Sequence, residues 1–145
     1  MIKLLENTRR PDITFYRDGT IRITAYVARL LSLSSGDSIN IVLNCDKCAS
    51  RVIGTSPDKY ECQFCGKQVE YLLSVKQLSR TIGRHEARCF QTNKKGNNYC
   101  AHSVKLCRAF FASIGFTGDK VGFIVGEAFT KNECTYLPII TKRPL

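Results

Sequence analysis

Of the eight cysteines in this 145-residue chain, four fall into two matched pairs, Cys45-Asp46-Lys47-Cys48 and Cys62-Gln63-Phe64-Cys65. Each Cys-x-x-Cys turn can direct two thiolates to one point, and the segment Ala49 to Glu61 between them suits a short hairpin. Together they offer four sulfur ligands to a tetrahedral zinc at about 2.3 Å per bond. Four thiolates leave no open coordination position, so the expected metal is one structural zinc rather than a hydrolytic one. Gly66 follows the second pair, where such a turn wants an unhindered backbone. A redox pair or disulfides are the competing readings of the same residues. Two matched pairs in one short segment favour metal.

The other cysteines, Cys89, Cys100, Cys107 and Cys134, lack that spacing. Cys107 falls on an apolar helical face and reads as packing. Cys100 stands two residues before His102, but no orienting acid or oxyanion site accompanies them. His85, between Arg84 and Glu86, reads as a surface or phosphate-contacting residue. Paired carboxylates and a phosphate-cradling glycine loop are both missing from the sequence. An enzyme is not expected.

Charge is the second chemical signal. Twenty-two Lys and Arg against 12 Asp and Glu give a net +10, a surplus that favours polyanionic partners, nucleic acid first. It concentrates in residues 71–103, where Lys76, Arg80, Arg84, Arg88, Lys94 and Lys95 face the lone acid Glu86. If that stretch is helical, Arg80, Arg84 and Arg88 recur every four residues on one cationic face. A solvated connector is the plainer reading. No apolar run reaches the roughly 18–20 residues of a membrane span, and Met1–Arg10 has no signal-peptide core. A cytoplasmic protein with no membrane partner is expected.

The elements that must position these groups follow from periodicity. Asp12 to Tyr16 reads as a strand, Asp18-Gly19 as a tight turn, and Ile21 and Ile23 alternate in a second strand. Thr24 is placed to cap a helix through Leu31 with Val27, Leu30 and Leu31 inward. Ser34-Ser35-Gly36-Asp37 turns into a strand carrying Ile39, Ile41 and Leu43. Val69, Tyr71, Leu73 and Val75 return beside it, which puts the cysteine segment at a hairpin tip. The C-terminal part repeats this order. Lys95-Gly96-Asn97-Asn98 offers a turn, Tyr99-Cys100-Ala101 a short strand, and Ser103 a cap for a helix through Ile114. Val104, Cys107, Phe110, Phe111 and Ile114 share one side of that helix. After Gly118-Asp119, Val121, Phe123 and Val125 alternate, and Thr135 to Thr141 forms the last strand. Gly36-Asp37 and Gly118-Asp119 are 82 residues apart (118 − 36), each after a helix and before an alternating strand. An internal duplication is expected.

Two resemblances accompany these readings. The cysteine segment resembles a zinc ribbon. Gly19-Thr20-Ile21-Arg22-Ile23-Thr24, then Val27, Arg29, Leu31 and Leu33, then Gly36-Asp37 with Ile39 and Ile41, resemble the AbrB-like (SpoVT-AbrB, swapped-hairpin) DNA-binding domain. This chain has Thr24 where that family usually has proline, and Ala28 before Arg29 where an arginine pair is common. The resemblance implies a mainly β, β-rich α+β fold: a duplicated swapped-hairpin barrel with the zinc ribbon inserted in the first half. Residues 1–43 plus 69–78 would form the first half and 44–68 the insert. Residues 79–95 would be a basic connector with the first strand of the second half, which fills 96–145. Two halves in one chain imply a monomer with pseudo-two-fold symmetry, a homodimer being the other arrangement.

Functionally, the resemblance implies a transcriptional regulator that binds duplex DNA through loops and helix starts. Arg17, Arg22 and Arg29 take the family's contact positions, with Arg9 and Arg10 as an upstream arm. Lys94, Lys95, Lys105 and Arg108 take the analogous face of the second half, and Arg80, Arg84 and Arg88 the connector. Two rival readings remain. One is a protein-interaction module, antitoxin-like or a zinc-ribbon adaptor. The other is an RNA or single-strand binder stacking bases at Phe15-Tyr16-Arg17 and Arg88-Cys89-Phe90, although Phe15 and Phe90 read as core residues.

Overall fold

Alternation settles the first hairpin. In Ile13–Tyr16 (β1), Ile13 and Phe15 are buried; in Thr20–Ile23 (β2), Ile21 and Ile23 are buried and Arg22 is exposed. A pleated strand sends successive side chains to opposite faces. The register Ile13↔Ile23, Thr14↔Arg22, Phe15↔Ile21 therefore joins two apolar rows on one side and two polar rows on the other. Gly19 makes the turn at φ 103°, its N–H donating to Tyr16 O at 3.0 Å. A Cβ there would lie 2.8 Å from the Val104 nitrogen, so turn and packing both require glycine. Asp18 Oδ1 accepts the Thr20 N–H at 2.9 Å, and this bond, with that of the Thr20 hydroxyl, holds the Asp18 carboxyl below its ordinary range.

The computed structural model describes residues 10–43, 70–76, 86–92, 98–131, 134–141 and 144–145. Beyond the hairpin these residues form helix α1 (Ala25–Leu30), β3 (Ser38–Leu43), β4 (Tyr71–Lys76), β5 (Ala87–Gln91) and β6 (Tyr99–His102). Helix α2 (Val104–Ile114), β7 (Lys120–Phe123), β8 (Phe129–Lys131) and β9 (Cys134–Ile139) follow. The strands make one curled antiparallel sheet in the order β7-β1-β2-β6-β5-β3-β4-β9-β8. Among the described residues the fold is mainly β, and no helix is long and apolar enough to cross a membrane.

The core lies on the inner side of the sheet, and α2 fills it. Phe110 meets Phe15 of β1 at 4.7 Å between ring centroids, Tyr71 of β4 at 5.4 Å and Phe123 of β7 at 5.6 Å. Offset and edge-on rings of this kind add about 0.5–1.5 kcal/mol per pair to their burial. Ser103 caps α2 as the sequence predicts, its Oγ accepting from Leu106 N–H at 3.1 Å. Both helices close with the same pair of bonds. Phe116 N–H reaches Phe111 O and Gly115 N–H reaches Ala112 O; Leu33 N–H reaches Ala28 O and Ser32 N–H reaches Arg29 O. The left-handed residue is Gly115 (φ 73°) in one and Ser32 (φ 50°) in the other.

Several local expectations are corrected. Thr24 stands at the start of α1, but its hydroxyl donates to Asp12 O at 3.0 Å; Asn98 Oδ1 takes the Ala25 N–H instead. Helix α1 ends at Leu30, and its buried residues are Val27 and Ala28, with Leu31 buried just beyond. Arg88 belongs to strand β5, so the four-residue spacing of Arg80, Arg84 and Arg88 does not continue as a helix to Arg88. Phe90 is not in the core: it is 54% exposed, because Ala87 and Cys89 take the inward positions of β5. Strand β8 had no counterpart in the sequence reading.

The pairing has a regularity of its own. Exchanging β1 with β5, β2 with β6, β3 with β7 and β4 with β9 turns β1·β2 into β5·β6 and β1·β7 into β5·β3. It leaves β2·β6 and β4·β9 unchanged. The partner of β3·β4 is the run after β7, where Val125 bridges Ile139 and Gly126 N–H donates to Pro138 O at 2.8 Å. The two Gly-Asp turns are held alike across this exchange. Cys89 N–H donates to Asp37 O at 2.6 Å, and Arg17 N–H to Asp119 O at 2.7 Å.

An arginine then reaches each turn. Arg88 Nη1 donates to Gly36 O at 2.8 Å, and Arg17 Nε to Gly118 O at 2.8 Å. Arg17 also donates from Nη2 to Phe116 O at 3.1 Å and lies over the Phe111 ring at 4.9 Å. Removing it would leave two carbonyls without their charged donor. Arg17→Ala is expected to lower stability in urea unfolding by about 2 kcal/mol. Arg22→Ala, on the exposed face of the same hairpin, should change it by less than about 0.5 kcal/mol.

Candidate functional site

The outward positions of the sheet are built by the same alternation that builds the core. Thr14 and Tyr16 of β1, Thr20 and Arg22 of β2, Cys100 of β6 and Lys120 of β7 line an open groove of about 780 Å³. Arg10 and Pro11 stand at one flank, and Thr92 and Asn98 at another. Its floor is close-packed at Gly122, where a Cβ would lie 2.5 Å from Pro11 Cβ; Leu145 pairs beside it, N–H to Gly122 O at 2.8 Å.

Among the described residues the groove carries three cations, Arg10, Arg22 and Lys120, and no Asp or Glu side chain; Leu145 also lines it. Thr14, Tyr16 and Thr20 line it beside them, while the Thr24 and Thr92 hydroxyls, also in its lining, donate to Asp12 O and Asn98 O. Arg22 lies over the Tyr16 ring at 5.3 Å, a cation–π contact that limits the rotamer freedom lost on binding. Such a surface suits phosphate: fixed donors, positive potential and hydroxyls for oxygen contacts. A second groove, of about 720 Å³ over β3, β4 and β9, contains Lys76 and Glu86, one charge of each sign. The basic groove is the stronger candidate for an anionic ligand.

The arginines and lysines expected to bind are not gathered in one place. Arg10 and Arg22 line the groove; Lys120, which the sequence reading passed over, joins them because β7 pairs with β1 and sets Lys120 opposite Tyr16. Its signal was the alternation that buries Val121 and Phe123. Arg17 and Arg88 direct their guanidinium groups to backbone carbonyls of the Gly-Asp turns. Arg29 on α1 and Lys105 and Arg108 on α2 are exposed but do not line the groove. Arg9, Arg80, Arg84, Lys94 and Lys95 lie outside the described residues, as do Cys45, Cys48, Cys62 and Cys65. Among the described residues no three His, Cys, Asp or Glu side chains gather to hold a metal.

The thiols differ sharply in environment. Burial, then the Asp37 carboxylate and Cys100, push the Cys89 thiol up to about 12. Burial also raises Cys107 to about 12, against a smaller opposing effect of a backbone hydrogen bond at Tyr16. Both stay protonated at neutral pH and are poor nucleophiles. Cys100 is partly exposed at the groove wall, and His102 Nε2 lies 3.0 Å from Asp18 O. The chain matches no protein-family model, no curated protein and no solved structure. In the native protein N-ethylmaleimide should modify Cys100, while Cys89 and Cys107 stay unmodified through pH 9 until the chain is unfolded. Mass spectrometry of the tryptic peptides checks this.

Proposed function

We propose that this chain is a DNA-binding protein, a regulator of AbrB-like type, that holds backbone phosphates in the groove across β7, β1, β2 and β6. The observation that carries this reading is the set Arg10, Arg22 and Lys120 on a surface lined, among the described residues, by threonine and tyrosine and by no Asp or Glu. The net charge of +10 supports it by drawing any polyanion toward the protein. Binding releases condensed counterions, so affinity falls with salt in proportion to the phosphates engaged. Groove shape and the exposed Arg29, Lys105 and Arg108 would supply further contacts.

The exchange of strand partners supports the duplication. Each hairpin pairs with the third strand of the other part, the arrangement expected of two swapped-hairpin units joined in one polypeptide. A monomer with pseudo-two-fold symmetry is the assembly this favours. The zinc reading draws support from the register Leu43↔Tyr71, which brings the two ends of the cysteine-bearing segment side by side at the tip of β3·β4. Cys45, Cys48, Cys62 and Cys65 would hold one structural zinc there, with no part in chemistry.

Two measurements test these readings. In fluorescence anisotropy with a labelled duplex, the slope of log K against log salt should be about −3 from the three groove contacts alone and steeper where the helix cations also engage phosphates. Arg22→Ala and Lys120→Ala should each reduce it by about 1. Unchanged slopes in these variants, with losses in Arg29→Ala and Arg108→Ala, would move the contact to the helices; no duplex binding at low salt would end the reading as a duplex-binding regulator. Elemental analysis of protein purified without chelators should find about one zinc per chain, lost when Cys45 and Cys62 are both replaced by Ser.

A further inference from the structure

The outer face of the sheet does not stop at the groove. Antiparallel partners share a face, so the registers Thr14↔Arg22, Arg22↔Cys100 and Cys100↔Phe90 set these residues in one outward row across β1, β2, β6 and β5. At a strand spacing of about 4.8 Å, Phe90 stands roughly 10 Å from Arg22 in that row. Phe90 is the most exposed large hydrophobic side chain of the described residues, at 54%. An exposed ring leaves an apolar face free for a stacking partner.

The ring is also rigidly mounted. Its neighbour Cys89 is bonded through both backbone groups, N–H to Asp37 O and carbonyl to Gly36 N–H at 2.7 Å, and Gln91 N–H donates to Ser35 Oγ at 3.0 Å. One outward row thus carries an exposed ring on a fixed strand, then a guanidinium stacked on Tyr16, with the groove cations beyond. A flat aromatic ring about 10 Å from a guanidinium matches a base and a nearby phosphate of one flexible strand. An apolar protein partner would cover the ring but not engage the cations, whereas an intact duplex would engage the cations and leave the ring uncovered.

We propose that the sheet face binds single-stranded DNA, an unpaired base stacking on Phe90 while a nearby phosphate lies against Arg22 and phosphates further along the strand reach Lys120. This rests on the phosphate reading of the groove and adds the strand state and the stacking residue. Stacking on an aromatic side chain is insensitive to base identity, so little sequence preference is expected at that position.

The chain contains no tryptophan, which gives a clean probe. Phe90→Trp introduces one indole, whose fluorescence should be quenched as oligothymidylate is added, with affinity kept or raised. Phe90→Ala should weaken oligothymidylate binding by about 10-fold without changing the salt slope or the affinity for duplex. Circular dichroism confirms that both variants keep the native strand content. Oligothymidylate binding without quenching, or equal affinity in Phe90→Ala and the natural chain, would overturn the stacking proposal and leave the groove reading intact. Tighter binding of oligouridylate than oligothymidylate would overturn the assignment to DNA. Failure to bind either single strands or duplex at low salt would remove the groove reading as well.

Discussion

The structure depends on an exchange of edges. Neither hairpin finds its second neighbour in its own part of the chain: β1 pairs with β7, and β5 pairs with β3. The seam β2·β6 joins the two parts through the register Thr20↔His102 to Ile23↔Tyr99. A lone hairpin is marginal in water because its apolar face and open edges stay wet. Here each open edge is covered by a strand from far along the sequence, and the faces meet around Phe110. Such long-range pairing demands that distant segments meet before any reward is gained, so folding should be slower than for a helical protein of this size.

That exchange also determines where charge ends up. Arg17 and Arg88 come from opposite parts of the chain, yet each sends its guanidinium to the turn that precedes the strand it pairs beside. Their charge is engaged with carbonyls rather than offered outward. Arg22 and Lys120 are set on the outward face by pleating, and they reach the same groove only because β7 lies next to β1. A basic composition alone would not distinguish these two roles. Registration does.

Much of this was legible locally. The hairpin from Ile13 to Ile23, the Asp18-Gly19 turn, the Ser103 cap and the Gly115 stop all follow from neighbouring residues, because turn chemistry and capping act over three or four positions. What local patterns missed was set by tertiary competition. Thr24 could serve its own helix or Asp12 O, and the strand pair brought Asp12 O within reach. Phe90 looked like core by hydrophobicity, but the pairing with Ala87 beside Ile39 fixed the parity of β5 and turned the phenylalanine outward. Lys120 carried no motif at all. Its place in the groove is a property of strand order, which nearest-neighbour reading does not contain.

The pairing of Leu43 with Tyr71 has an evolutionary side. The entropy of closing the loop between them is met by the β3·β4 ladder, and it rises only slowly with loop length. This position should therefore tolerate insertion, exchange or shortening of the segment between those two residues, down to a two-residue turn, with little cost to the register elsewhere. It acts as a socket: new binding chemistry can be installed at that hairpin tip while the sheet that carries it keeps its shape.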